Sequence, residues 1–265
     1  MLISIFSDAA RHQILAKKLI EDGHTVVLYK ELSQLPEHIN GNIVILPIPT
    51  LSPSGTLNIQ GNIHNITPQS LIELTDKNAL IISCNYFTDV RKCIDINKYE
   101  PFTSMNAIPS AEGAIFCAAA NSDITIFKSK CLVIGYGRIG KIIADRMKAF
   151  GAEVTVTARN YKDIYAAKAQ RYTVLSVSDL DKYIHSFDFI FQTVPSLILD
   201  RKLLDLSNAV TIELASKGVG TDLEYAKRTN KNVTYAPAIP EKYSPITAGE
   251  IFYDSVINII KELNI

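Results

Sequence analysis

Cys131-Leu132-Val133-Ile134-Gly135-Tyr136-Gly137-Arg138-Ile139-Gly140 decides the fold. An apolar run meets three glycines spaced G-x-G-x-x-G. The chain then continues with Ile139, Ile142, Ile143, Met147 and Phe150 at helical spacing. After Gly151 a second strand-like run begins at Glu153. The glycine spacing alone is weak evidence; between a strand and an amphipathic helix, each glycine acquires a mechanical task. Gly135 permits the tight turn, Gly137 lets backbone N–H groups approach a diphosphate, and Gly140 lets the helix pack closely on the strand. The helix N-terminus adds unpaired N–H groups and positive partial charge. Arg138 and Ile139 complete the loop, and Arg138 adds a cation.

The motif predicts a dinucleotide, and the end of the following strand discriminates between its two common forms. That end reads Thr157-Ala158-Arg159-Asn160, with no carboxylate to accept from a ribose 2′-hydroxyl. Arg159 is suited to pair with a 2′-phosphate. NADP(H) is therefore expected in preference to NAD(H). Thr193-Val194-Pro195, at the end of a later apolar run, stands where such a fold passes the nicotinamide ribose.

Outward from the motif, the spacing predicts strands at 131–134, 154–157, 173–175, 187–193, 209–214 and 233–235, with a helix over 139–150. Before it, strands are expected at 2–6, 24–29, 43–46 and 79–83, with helices at 10–21 and 68–76. A strand is also read at 101–105. Pro109 and Glu112 are read near the N-terminus of an Ala-rich helix reaching about Asn121. A long loop covers 47–65, and the chain ends in a helix over about 248–263. This rhythm predicts an α/β protein of two βαβ lobes: a flavodoxin-like N-terminal lobe and a Rossmann NAD(P)-binding lobe. The domains are placed at 1–105 and 106–247, with the helix after Pro109 as the hinge.

Over 265 residues, Lys plus Arg and Asp plus Glu both total 27, giving no electrostatic reason to expect nucleic acid. No apolar run is long enough to suggest a membrane span. Cys84, Cys93, Cys117 and Cys131 form no CxxC pair, so reduced packing thiols, a cytoplasmic setting and no metal are expected. The histidines are His12, His24, His38, His64 and His185; none falls in 230–245, where a hydroxyacid dehydrogenase would hold its base.

Several segments together carry a resemblance. They are Asn106-Ala107-Ile108-Pro109-Ser110-Ala111-Glu112-Gly113, the glycine loop with Ala158-Arg159, and Thr193-Val194-Pro195-Ser196. Further on come Leu214-Ala215-Ser216-Lys217 with Gly220-Thr221-Asp222, and Pro245-Ile246-Thr247-Ala248-Gly249. Across nearly the whole chain the sequence resembles the dipicolinate synthase A-subunit family, relatives of the D-2-hydroxyacid dehydrogenases. The resemblance implies NADP-dependent dehydrogenation of a dihydrodipicolinate-type cyclic dicarboxylate during sporulation, in the mother cell. It also implies that a helix over 248–265 returns to complete the first domain. It further implies a second polypeptide, the dipicolinate synthase B-subunit, as partner, and admits a homo-oligomer. The chain departs from the family at Ser7-Asp8-Ala9-Ala10-Arg11, where the family favours a glycine-rich turn, and in 237–242, which lacks the usual glycines.

For the substrate acid, Arg11 and Lys217 are the candidate cations, with Thr50, Ser52 and Ser196 as candidate hydroxyl contacts. Asn106, Glu112 and Lys217 are the catalytic candidates; Glu112 reads equally as a base or as a residue favouring a helix start. Ala215 and Ser216 join the cofactor contacts. A reductase of another small carboxylic acid and a non-catalytic dinucleotide-binding subunit remain the alternative readings.

Overall fold

The computed structural model describes residues 1–32, 34, 36–59 and 66–265. Residues 60–65, the end of the expected long loop, and the side chain of Lys217 lie outside the described set. The chain divides into two compact units, 1–106 with 240–265, and 107–239.

In the first unit, β1 (Leu2–Phe6), β2 (Thr25–Tyr29), β3 (Ile43–Ile45), β4 (Leu80–Ser83) and β5 (Cys93–Asp95) form one parallel sheet in the order β2-β1-β3-β4-β5. This is the flavodoxin-like order. Near-continuous apolar strands are what a parallel sheet covered on both faces requires. Ile3, Ile5, Ile43, Ile45 and Ile82 pack on one face, and Phe6, Val44, Leu46 and Ile81 on the other. Helix α1 (Ala10–Glu21) stops where Gly23 adopts φ +83°. Helix α2 (Pro68–Glu73) starts with a reciprocal capping box between Thr67 and Ser70. Strand β5 carries no apolar signal, being half-buried at the sheet edge.

The expected strand at 101–105 and the helix start at Pro109 are both corrected. Helix α3 (Glu100–Ala120) runs unbroken through them, with Pro109 inside it. Pro101 sits in the first turn, where no N–H is needed. Pro109 removes one backbone bond without ending the helix. Glu112 consequently lies in the helix interior, and its reading as a helix-start residue fails.

In the second unit the strands are β6 (Lys130–Ile134), β7 (Glu153–Thr157), β8 (Thr173–Leu175), β9 (Phe189–Gln192), β10 (Val210–Glu213) and β11 (Val233–Tyr235). Helix α4 (Arg138–Ala149) follows β6 and buries Ile143, Ala144 and Met147. Between and after the later strands lie α5 (Tyr161–Ala169), α6 (Leu180–Tyr183), α7 (Arg201–Leu206) and α8 (Leu223–Arg228). The sheet order β11-β10-β9-β6-β7-β8 is parallel throughout and is the Rossmann arrangement, with its switch point between β6 and β9.

A short helix, α9 (Ile239–Tyr243), leads to α10 (Pro245–Leu263), which packs on α1 in the first unit. The approach is close at Gly249, where a Cβ would stand 2.5 Å from the Ile14 Cβ. Phe252, Val256 and Ile259 complete that core. Among the described residues no helix is long and apolar enough to cross a membrane.

Candidate active site

The glycine loop has the geometry its sequence requires. Gly135 adopts φ +99°, and a Cβ there would lie 2.6 Å from both Thr193 Oγ1 and Val194 Cγ2. At Gly140 a Cβ would stand 2.2 Å from the Gly135 carbonyl oxygen, so the helix reaches the strand only because no side chain intervenes. Gly137 differs: a Cβ would meet nothing within 4 Å. It is therefore not folding that demands a small residue there. The open space before α4 is a cradle that a side chain would fill, which fits a diphosphate.

Gly137 also caps α4 without any side-chain acceptor, and no acidic residue stands in the first turn. By contrast Asn160, Asp200 and Asp222 each accept the third N–H of α5, α7 and α8. The α4 terminus therefore keeps its donors for an anion.

A pocket of about 230 Å³ beside the loop brings together Gly135, Gly137, Ala158, Arg159, Asn160, Thr193, Val194 and Pro195. It is held from below: the Gly135 N–H donates to Thr157, and the Thr193 hydroxyl donates to the Ile134 carbonyl at 2.9 Å. Ala158, Arg159 and Val177 also line an adjoining pocket of about 460 Å³, with Lys168 and Ser176. Arg159 is exposed and has no hydrogen bond or ion pair among the described residues. Ser196 has a buried Oγ without a partner, a polar atom suited to a ligand. Ala215 is buried and Ser216 exposed after β10.

One carboxylate on the first pocket was not anticipated. Asp163 lines it, six residues beyond Thr157. Lys141 Nζ lies 3.2 Å from Asp163 Oδ1, and the Asn160 amide donates to Oδ2 at 2.8 Å. Burial works to raise this carboxyl, but the Asn160 amide and the Lys141 ammonium outweigh it and hold it below the usual range. The Asn-x-x-Asp spacing at a helix start was the available signal.

In the first unit, Arg11 sits in the first turn of α1, just beyond the carboxyl end of β1, and is 4% exposed. Its Nε donates to Glu241 Oε2 at 2.6 Å, while Glu241 Oε1 accepts the Arg11 backbone N–H at 3.2 Å. The two terminal guanidinium nitrogens have no hydrogen bond among the described residues. Beside it, His12 is fully buried; burial and the Arg11 charge lower its pKa to about 3. Neither ring nitrogen has a hydrogen-bond partner within the distance and angle of a normal bond. Sequence reasoning passed over both His12 and Glu241.

The remaining candidates are placed less suggestively. The buried Thr50 hydroxyl is spent on structure, donating to Pro47 O and accepting from the Cys84 N–H. Ser52 bonds to Ser54 and Thr56. Glu112 is half-exposed and pairs with Arg146 at 2.9 Å, as helix-surface ions do. Asn106 is half-buried on α3, in the other unit from Glu112.

Residues 113–219 match the family described as D-isomer specific 2-hydroxyacid dehydrogenase, NAD binding domain. The dipicolinate synthase A-subunit of Bacillus subtilis (strain 168) is 27% identical, over 92% of this chain and 86% of its own. Two solved structures share the fold at 24% identity. The dipicolinate synthase A-subunit from Bacillus subtilis has a TM-score of 0.85 over 100% of this chain and 97% of the other. The A-subunit from Bacillus halodurans has 0.83 over 98% and 97%. The chain is thus an NAD(P)-dependent oxidoreductase, built on a hydroxyacid-dehydrogenase type of nucleotide domain and similar along nearly its full length to the dipicolinate synthase A-subunit.

Proposed function

We propose that the chain dehydrogenates a dihydrodipicolinate-type cyclic dicarboxylate to dipicolinate, with NADP as the hydride acceptor. One hydride leaves a ring carbon for the nicotinamide, and one proton leaves the ring; the products are the aromatic pyridine diacid and the reduced cofactor. Aromaticity gained in this step lowers the demand for a strong base, in keeping with a nucleotide pocket on which no histidine stands among the described residues. The observation that supports the substrate class is Arg11. Glu241 fixes one edge of its guanidinium and leaves the other edge for a planar acid, which a fork of two donors grips bidentately. Lys217, which directly follows Ser216, is the proposed second cation. Glu112, already paired with Arg146, is a weaker proposal as base.

NADP over NAD is supported by Arg159, a cation shared by both pockets and without an ion pair among the described residues; the carboxylate of Asp163 on the first pocket is engaged by Lys141. The relatives' name speaks of one subunit of a synthase, so a dipicolinate synthase B-subunit is the proposed partner and spore formation in the mother cell the proposed setting. Formation of reduced nicotinamide is to be followed with dihydrodipicolinate as substrate, and its consumption with a panel of 2-keto acids, each with and without the partner. Turnover with the cyclic dicarboxylate alone is expected. Activity confined to the keto acids would assign a reductase instead, and cofactor binding without any turnover a supporting role beside another enzyme.

A further inference from the structure

Two fully buried polar side chains close the central strands of the nucleotide-binding sheet, and nothing in the proposed chemistry uses them. Gln192 ends β9 and Glu213 ends β10, and the register pairs them directly. Gln192 Oε1 accepts the Val194 N–H at 2.8 Å, while its Nε2 donates to the Gly220 carbonyl at 2.9 Å. That carbonyl also accepts from the N–H groups of Ile198 and Leu199. Glu213 accepts the Ala215 N–H at 2.7 Å on one oxygen and the Thr221 hydroxyl on the other. The fit is tight, since a Cβ on Gly220 would stand 2.7 Å from the Gln192 side chain. An apolar pair could fill the same space, but it would leave the Val194 and Ala215 N–H groups without these acceptors.

The segments so tied are those beside the cofactor pocket. Thr193, Val194, Pro195 and Ile198 line it, and the Ala215–Ser216 step follows the neighbouring strand. With a diphosphate on α4 and the adenosine ribose at the tip of β7, the other half of a dinucleotide runs over the ends of β9 and β10. We propose that Glu213 and Gln192 are positioning residues for the nicotinamide half of the cofactor, fixing segments 193–198 and 215–221 without touching the cofactor themselves. This rests on the dinucleotide reading given above.

The test compares whole cofactor with an adenosine fragment. Calorimetry with NADPH and with adenosine 2′,5′-bisphosphate is run on the wild type, Glu213→Ala, Glu213→Gln and Thr221→Val, with thermal midpoints recorded. Thr221→Val keeps the volume and removes one bond, so it serves if Glu213→Ala does not fold. Glu213→Ala should raise the NADPH Kd about tenfold and Thr221→Val about threefold, with the fragment Kd unchanged within about twofold. Glu213→Gln, which can still accept from the Ala215 N–H and reverse its bond with Thr221, should restore most of the loss. Equal loss for NADPH and fragment, or no loss for either, overturns the proposal. Failure of the wild type to bind NADPH would count against the cofactor reading and is thereby distinguished.

Discussion

In the unit of residues 107–239, the ligand-facing end of the sheet is made of main chain. Three glycines shape the space, and the α4 terminus is left without a side-chain cap. At the corresponding end of the other sheet, side chains do that work. The first turn of α1 donates to Glu241, Arg11 is buried beside it, and a neutral His12 is walled in by Phe252. The difference suits the proposed ligands. A diphosphate is met by N–H groups that any sequence with the right glycines provides, whereas a particular acid is selected by a guanidinium held in one orientation.

The comparison is broken most sharply at Gly140. Gly140→Ala drives a Cβ into the Gly135 carbonyl, so thermal unfolding should show a loss of roughly 1–3 kcal/mol. NADPH affinity should fall about a hundredfold or more, as several charge-assisted bonds are misplaced. Gly137→Ala is its control: the melting curve should be unchanged, because the new Cβ meets nothing, while affinity still drops. Unchanged NADPH affinity in Gly137→Ala would mean that the open space is not a binding cradle.

Arg11→Lys tests the other unit. It keeps the charge but loses the fork, so KM for the dicarboxylate should rise about tenfold to a hundredfold, with the NADPH Kd unmoved. A change in cofactor affinity instead would remove Arg11 from its assigned role. Arg159→Asp should then shift the NADPH-to-NADH affinity ratio about tenfold toward NADH. Unchanged affinities would leave the cofactor preference without support.

A different kind of effect is one of pH. His12 has a folded pKa depressed to about 3 against 6.5 when free, so the unfolded chain binds the proton first. Its contribution to stability is complete above about pH 6.5 and is lost as pH falls toward 3, at no more than about 1.4 kcal/mol per pH unit. Glu213 acts with the opposite sign. Its carboxyl is raised by burial, so its contribution is fullest below its ordinary range and declines as pH rises. His12→Leu should flatten the acid side of the stability profile, and an unaltered slope would show that His12 does not set it.

How much was legible follows from the same contrast. The glycine loop could be read because each glycine answers to a local geometric demand within a dozen residues. The Arg11–Glu241 pair could not, because 230 residues separate its members and only the return of α9 and α10 brings them together. Helix α3 was misread through its prolines, which here sit where one N–H is dispensable and one bond is forgone. Helix α5 gave no apolar stripe to find, burying little beyond Ala167. Gln192 and Glu213 did leave a trace: Phe189-Ile190-Phe191-Gln192 and Val210-Thr211-Ile212-Glu213 both end an apolar run on a long polar residue.

The central claim is that a dinucleotide lays its diphosphate on the main chain between Gly135 and Gly140. Backbone amide resonances followed during titration with NADPH address it directly. The account predicts the largest shifts at Gly137, Arg138, Ile139 and Gly140, with Gly135 and Thr193 close behind. Saturable binding that leaves those amides unmoved would contradict it.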